Sequence, residues 1–327
     1  MRPFPMVVNA NDLPTIGITI GDAAGIGPEI VLRSLSANLS SEFNVVIIGD
    51  GTHLRSVASQ FGVESVFERR NIEIDDLANL TCEFQVGTDN AVTGRASAEY
   101  IERAVRLWHE GKIDAVATAP ISKKAIALGG YDFPGHTEFL AELTGTKRFA
   151  MSFFAGDLRV ILLSTHLPLT KAIELVKKDK LVDLISFSHE QLSGLLKRVP
   201  KIAVAGLNPH ASEGGLFGTE ETTEIFPAIE ICRDRGMTVS GPYSPDTVFL
   251  RCSKGEFDAV IALYHDQATI PVKSMSFNSG VNVTLGLPLI RTSVDHGTAF
   301  EIAGKGVAEC SSMSAAIDLA AKLVSGS

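Results

Sequence analysis

Apolar positions along this chain fall into two alternating rhythms. Short continuous apolar runs at Thr15–Ile20, Asn44–Ile48, Asp114–Thr118, Ile202–Ala205 and Ala259–Leu263 read as strands buried on both faces. Between them, helical spacing predicts helices. Tyr100, Ile101, Ala104, Val105 and Trp108 share one face over Ala96–Trp108, and Gly111 stops that helix. Val182, Ile185, Leu192, Leu195 and Leu196 do the same over Lys180–Arg198. Further helices are expected near Thr222–Arg235 and Ser312–Val324, and one opening at Pro28 carries Ile30, Val31 and Leu35. Strands alternating with helices predict an α/β protein whose mainly parallel sheet is covered on both sides. The pair Gly129-Gly130 is the best candidate hinge.

Three of the apolar runs end in a histidine: Arg159 to His166, Lys201 to His210 and Asp258 to His265. Ligands of open α/β sheets bind outside the carboxyl ends of the strands. Three imidazoles delivered there could hold one divalent metal with a coordination position left open. Asp266, beside His265, and Asp246, in Ser244-Pro-Asp-Thr247, could orient an imidazole or bind the metal. The alternative is three ordinary strand-end histidines, since sequence spacing alone does not make them converge.

Other polar clusters add to this. Gly21-Asp-Ala-Ala-Gly-Ile-Gly-Pro-Glu29 lies where backbone N–H groups could meet a phosphate, but it matches neither nucleotide-binding glycine fingerprint. Its other reading is a tight strand-to-helix turn. His136 and Thr137 sit in Pro134–Glu138, where Gly135 would permit unusual backbone angles. Lys273, Asn282 and Arg291 offer an amine, an amide and a guanidinium for a phosphate or carboxylate. Asp295-His-Gly-Thr298 could touch substrate or cofactor, or simply cap a helix.

The 327 residues carry a net charge of −9 without a long run of one sign. A basic footprint for nucleic acid is absent, so no nucleic-acid partner is expected. No run of about 18 apolar residues predicts a membrane span. Met1–Pro14 lacks a hydrophobic core and reads as a tail ahead of the first strand, not as a secretory signal. Cys82, Cys232, Cys252 and Cys310 are scattered, which suits a reduced, cytoplasmic setting.

Together these segments resemble the PdxA family, the 4-hydroxythreonine-4-phosphate dehydrogenases. The blocks that carry the resemblance are Gly21–Glu29, Ala119–Lys123, Pro134–Glu138, Ser164–Leu169, Gly206–Gly218, Gly241–Thr247, Tyr264–Lys273 and Gly280–Gly306. Ala23 stands where the family's first block usually has proline. The resemblance implies two α/β/α domains with mainly parallel sheets, like those of isocitrate and isopropylmalate dehydrogenases. The first would comprise residues 1–130 and about 295–327, the second about 131–294. The active site would lie in the cleft and at a homodimer interface, so the three histidines need not come from one subunit. It further implies metal ligands His166, His210 and His265, and substrate contacts His136, Thr137, Lys273, Asn282 and Arg291. Lys273 and Asp246 are the candidate bases. The cofactors would be NAD or NADP and one divalent metal (zinc, magnesium or cobalt).

The implied reaction oxidises 4-phosphooxy-L-threonine at C3 to 2-amino-3-oxo-4-phosphooxybutanoate. That β-keto acid decarboxylates to 3-amino-2-oxopropyl phosphate, in pyridoxine 5'-phosphate biosynthesis. Relatives of the family act instead on 4-phospho-D-threonate or 4-phospho-D-erythronate, or on cyclic diols. Without the family blocks, a class II aldolase-like lyase would rank close behind, and a non-catalytic metal-binding protein last.

Overall fold

The computed structural model describes residues 13–37, 42–275 and 280–326. The expected tail therefore lies almost wholly outside the described residues, as does part of the segment between Lys273 and Asn282. In chain order the strands are β1 (Thr15–Thr19), β2 (Asn44–Gly49), β3 (Ile72–Asp76), β4 (Ala115–Thr118), β5 (Ala150–Ala155), β6 (Leu158–Leu162), β7 (Ile202–Ala205), β8 (Val239–Tyr243), β9 (Ala259–Ala262), β10 (Val281–Leu285) and β11 (Ile290–Ser293). The helices are α1 (Gly27–Ala37), α2 (Gly51–Phe61), α3 (Ala91–His109), α4 (Lys123–Leu128), α5 (His136–Leu143), α6 (Leu169–Glu174), α7 (Lys178–Leu196), α8 (Phe226–Asp234), α9 (Val248–Ser253), α10 (His265–Met275) and α11 (Ser311–Ser325). The chain is α/β, with mostly parallel strands and helices packed on them.

The chain divides into two compact units, Met1–Phe149 with Leu287–Ser325, and Ala150–Gly286. The sequence reading put these joins near 130 and 294. They fall elsewhere because Phe139, Leu140, Leu287 and Leu289 are buried in the core of the first unit. Phe133 stacks on Phe139 with ring centroids 4.1 Å apart, which carries the chain beyond Gly129-Gly130 into that core. Gly129 merely closes α4.

In the first unit the order is β3-β2-β1-β4-β11, all parallel. Strands β1 and β4 are almost wholly buried, which explains their unbroken apolar sequences. Its helices start where short polar side chains satisfy orphan amides. Asp50, Asn90 and Ser122 cap α2, α3 and α4 through the amides of His53, Val92 and Ala125. Gly94 lets α3 lie directly against α4.

In the second unit the order is β10-β5-β6-β9-β7-β8. Strands β5 and β6 form an antiparallel hairpin over Gly156 and Asp157, with Gly156 at φ +58°. Strands β6, β9, β7 and β8 are parallel neighbours. The amino ends of β9 and β7 are joined by Asp258, whose carboxylate accepts from the Lys201 amide at 2.7 Å and from Arg198 Nη1 at 2.8 Å. No helix among the described residues is long and apolar enough to cross a membrane.

A Cβ on residue 94 would stand 1.8 Å from the Ala125 carbonyl oxygen, so backbone would have to move. Gly94→Ala is therefore expected to lower the unfolding free energy by about 3 kcal/mol. Urea denaturation reads this, and an unchanged midpoint would contradict the close α3–α4 approach.

Candidate active site

Because β6, β9 and β7 are adjacent and parallel, their carboxyl ends open at one edge of the sheet. His166 lies in the loop after β6, His265 is the first residue of α10 after β9, and His210 sits in a Pro209–Gly214 turn after β7. The rings of His166 and His265 have centroids 5.6 Å apart. His265 Nδ1 lies 2.7 Å from Asp266 Oδ1, and His210 Nδ1 lies 2.6 Å from Glu213 Oε1. A carboxylate at Nδ1 requires that nitrogen to donate, which leaves Nε2 as the ligating atom. This donor chemistry suits a divalent metal. Among the described residues of one chain, however, no group of three or more His, Cys, Asp or Glu side chains converges to hold one. His166 and His265 meet, and His210 is not gathered with them.

The loops that carry these histidines are held by residues the sequence reading did not single out. Glu221, almost fully buried, accepts from the Leu207 and Asn208 amides at 2.8 and 2.7 Å, and from Asn208 Nδ2 at 2.8 Å. That clamp precedes an unusual turn. His210, Ala211, Ser212 and Glu213 all have positive φ, at 52°, 54°, 70° and 43°. Each such non-glycine residue costs about 1 kcal/mol or more, so the turn persists only because its surroundings impose it. Ser212 helps by donating to the Gly218 carbonyl. Buried Gln267 bridges two of the loops: its Oε1 accepts from the Leu263 amide and its Nε2 donates to the Gly206 carbonyl, both at 2.7 Å. Glu221 lies in the polar run Thr219–Glu224 and Gln267 follows His265-Asp266, so nothing in the sequence marks either as buried or reveals its partner.

The first unit buries a cationic corner. Arg291 on β11 is only 4% exposed, and its Nε and Nη2 donate to Thr118 Oγ1 at 3.2 and 3.0 Å. Burial pulls its guanidinium down to about 10, with Glu138 opposing, so it stays cationic at neutral pH. His136 opens α5, and its Nε2 is buried without a hydrogen-bond partner. Burial first, and the Arg291 charge second, hold its imidazole well below the usual histidine range. The side chain is partly accessible overall, but the enclosed nitrogen decides its protonation. A neutral imidazole beside a buried cation suits an incoming anion. Thr137, next on α5, is half-buried. Gly135 is extended at φ 174°, so the expected special backbone angle is not needed there.

The remaining candidates lie in the second unit. Lys273 is exposed in the last turn of α10, and Asn282 on β10 is half-buried opposite Phe153 of β5. Asp246 is exposed and accepts from the Ser244 hydroxyl. The glycine-rich turn at 21–27 reads differently from a phosphate cradle. Four of its amides are already committed: Asp22 to Pro120 O, Ala24 to Asp22 Oδ1, Gly25 to Asp22 O and Ile26 to Thr298 O. Its glycines serve packing, since a Cβ on Gly27 would stand 2.1 Å from Ile20 O. Asp295–Thr298 caps no helix, and Thr298 instead holds this turn.

The chain is thus a mixed α/β protein with a buried arginine corner and histidines at parallel strand ends, and its relatives are dehydrogenases. The family model for the pyridoxal phosphate biosynthetic protein PdxA matches residues 41–320, and the chain belongs to the PdxA family. A D-threonate 4-phosphate dehydrogenase of Cupriavidus necator is 45% identical over 324 residues, covering 95% of this chain and 97% of that protein. The crystal structure of 4-hydroxythreonine-4-phosphate dehydrogenase from Klebsiella pneumoniae superposes with a TM-score of 0.87 at 38% identity, covering 96% of this chain and 99% of that one. The corresponding enzyme from Burkholderia phymatum gives a TM-score of 0.82 at 43% identity, with the same coverage.

Because His136 is held neutral when folded, the unfolded chain binds an extra proton below its ordinary value of 6.5. Folding stability should therefore fall as pH drops from about 7 to about 5, by at most about 1.4 kcal/mol per pH unit for this group. His136→Gln is expected to flatten that slope in urea titrations at several pH values. His53, also lowered by burial, stays in both proteins, so the difference isolates His136. Identical slopes would show that His136 titrates normally.

Proposed function

We propose that this protein is an NAD-dependent, divalent-metal-dependent dehydrogenase of a small 4-phosphorylated hydroxy acid, with D-threonate 4-phosphate as its substrate. The observation that carries the substrate class is the buried Arg291 guanidinium beside the neutral His136 imidazole, a fixed cation suited to a phosphate. The choice of acid rests on the 45% identical relative named for that substrate. The second reading is 4-phosphooxy-L-threonine, favoured by the family description and by the solved structures of 38–43% identity. The two acids differ in bearing a hydroxyl or an amine at C2, which Arg291 and His136 do not distinguish.

In this reading His166, His210 and His265 hold one zinc, cobalt or magnesium ion, the set being completed across a homodimer with shared sites. The bound cation supplies Lewis acidity to the substrate alcohol, and the nicotinamide supplies the hydride acceptor. The protein's own side chains bind, orient and move a proton. Arg291, His136 and Thr137 grip the phosphate and fix which carbon presents its hydroxyl. Asn282 orients the carbon chain, and Lys273 or Asp246 takes the hydroxyl proton as C3 becomes a ketone. The β-keto acid so formed can lose carbon dioxide, because its ketone accepts the electron pair left behind. We assign the protein to the cytoplasm, a reading that its scattered free thiols support.

Two measurements test this. Reduction of NAD, followed by ultraviolet absorbance, is expected with both phosphorylated acids and to be faster at low concentration with D-threonate 4-phosphate. The opposite preference would install the second reading, and no reduction with either would remove the dehydrogenase altogether. Arg291→Ala should lower kcat/KM for the phosphorylated acid by roughly thirtyfold or more while leaving the NAD dissociation constant near its original value. Equal weakening of both would overturn the phosphate assignment.

A further inference from the structure

We propose that Thr118 is a positioning residue for the Arg291 guanidinium, a role that rests on the phosphate reading above. Arg291 lies opposite Val116 in the parallel pairing of β11 with β4, and Thr118 is two residues further along β4. Side chains two apart point to the same face of a strand, so Thr118 stands beside Arg291 on the side of the carboxyl end. It is also the last residue of β4. A guanidinium drawn onto its hydroxyl is therefore drawn to the carboxyl edge of the sheet, where open α/β sheets take their ligands. Arg291 Nε and Nη2 both donate to Thr118 Oγ1, at 3.2 and 3.0 Å. Thr118 is fully buried, and its own hydroxyl donates to the Thr292 carbonyl at 3.4 Å.

The strand ladder places the Arg291 backbone, but not the far end of a long and flexible side chain. Nε and Nη2 form one edge of the planar guanidinium, so bonding both to a single oxygen sets the plane. That plane decides the direction from which an anion can receive two parallel bonds. A hydroxyl suits the position because it accepts without adding charge. A carboxylate there would form an ion pair and cancel the cation before any ligand arrived. Glu138, whose charge acts on Arg291, is exposed on α5. The Arg291 charge also reaches His136, whose buried Nε2 has no hydrogen-bond partner. The corner thus holds a cation oriented by a neutral acceptor and, near it, a ring nitrogen whose hydrogen bond is unmade.

The test uses the full-length protein and inorganic phosphate as a probe of the corner alone, with calorimetry reading its affinity. Thr118→Val keeps the shape and removes the acceptor, whereas Thr118→Ser keeps the acceptor. Circular dichroism and urea midpoints establish folding. Thr118→Val is expected to weaken phosphate binding about tenfold, the loss typical of a hydrogen bond to a charged group. The KM for the phosphorylated acid should rise by a similar factor, kcat should change much less, and the NAD dissociation constant should stay near its original value. Thr118→Ser should bind phosphate nearly as the parent does. Thr118→Cys, whose sulfur accepts only weakly, should lose affinity in smaller measure and stands in if the valine variant does not fold. A folded valine or cysteine variant that binds phosphate as the parent does, or that loses phosphate and NAD affinity alike, would make Thr118 a packing residue and overturn the proposal. A parent that binds no phosphate, or binds it equally well after Arg291→Ala, would instead bring down the phosphate reading on which it stands.

Discussion

Everything in the second unit depends on the parallel pairing of β6, β9 and β7. Parallel strands deliver their carboxyl ends to the same edge, so three loops of very different sequence position emerge side by side. The pairing is secured at the opposite edge by Asp258, whose carboxylate joins β9 to the start of β7 and to Arg198. Ile202–Ala205 and Ala259–Ala262 consist wholly of small and branched apolar residues and are buried throughout, so both faces of these strands are covered. Sheet register thus does the coarse placement, and buried polar side chains refine it.

The first unit solves a different problem, that of keeping a charge inside a protein. Arg291 is buried on β11 and rests on a threonine hydroxyl. Its charge survives because a guanidinium is so basic that burial lowers it only to about 10. The neighbouring imidazole stays neutral, chiefly through its own burial and secondly through the Arg291 charge. A lysine in the same place would be far easier to neutralise, and could not offer a planar fork.

Much of the architecture was legible in the chain. Continuous apolar strands and amphipathic helices marked β1, β2, β4, β7, β9 and α3, α7 and α11, because burial on one or two faces leaves a direct imprint on residue type. The joins between units were not, since Phe133, Phe139 and Leu287 look the same whichever core they fill. At the site, strand-end histidines and the arginine were visible as residue types. The committed amides of the glycine-rich turn were not, because a glycine that permits close packing and a glycine that frames a phosphate have identical sequences. The bonds of Gln267 and Glu221 were equally hidden, since they join segments far apart in the chain.

The buried guanidinium of Arg291 has one more consequence. A cation that has already surrendered its hydration gains little from a neutral visitor, which would displace remaining water and offer nothing in return. If that corner takes the phosphate as proposed, its selectivity would work by exclusion: an unphosphorylated analogue of the same carbon skeleton would be turned away by what it fails to bring.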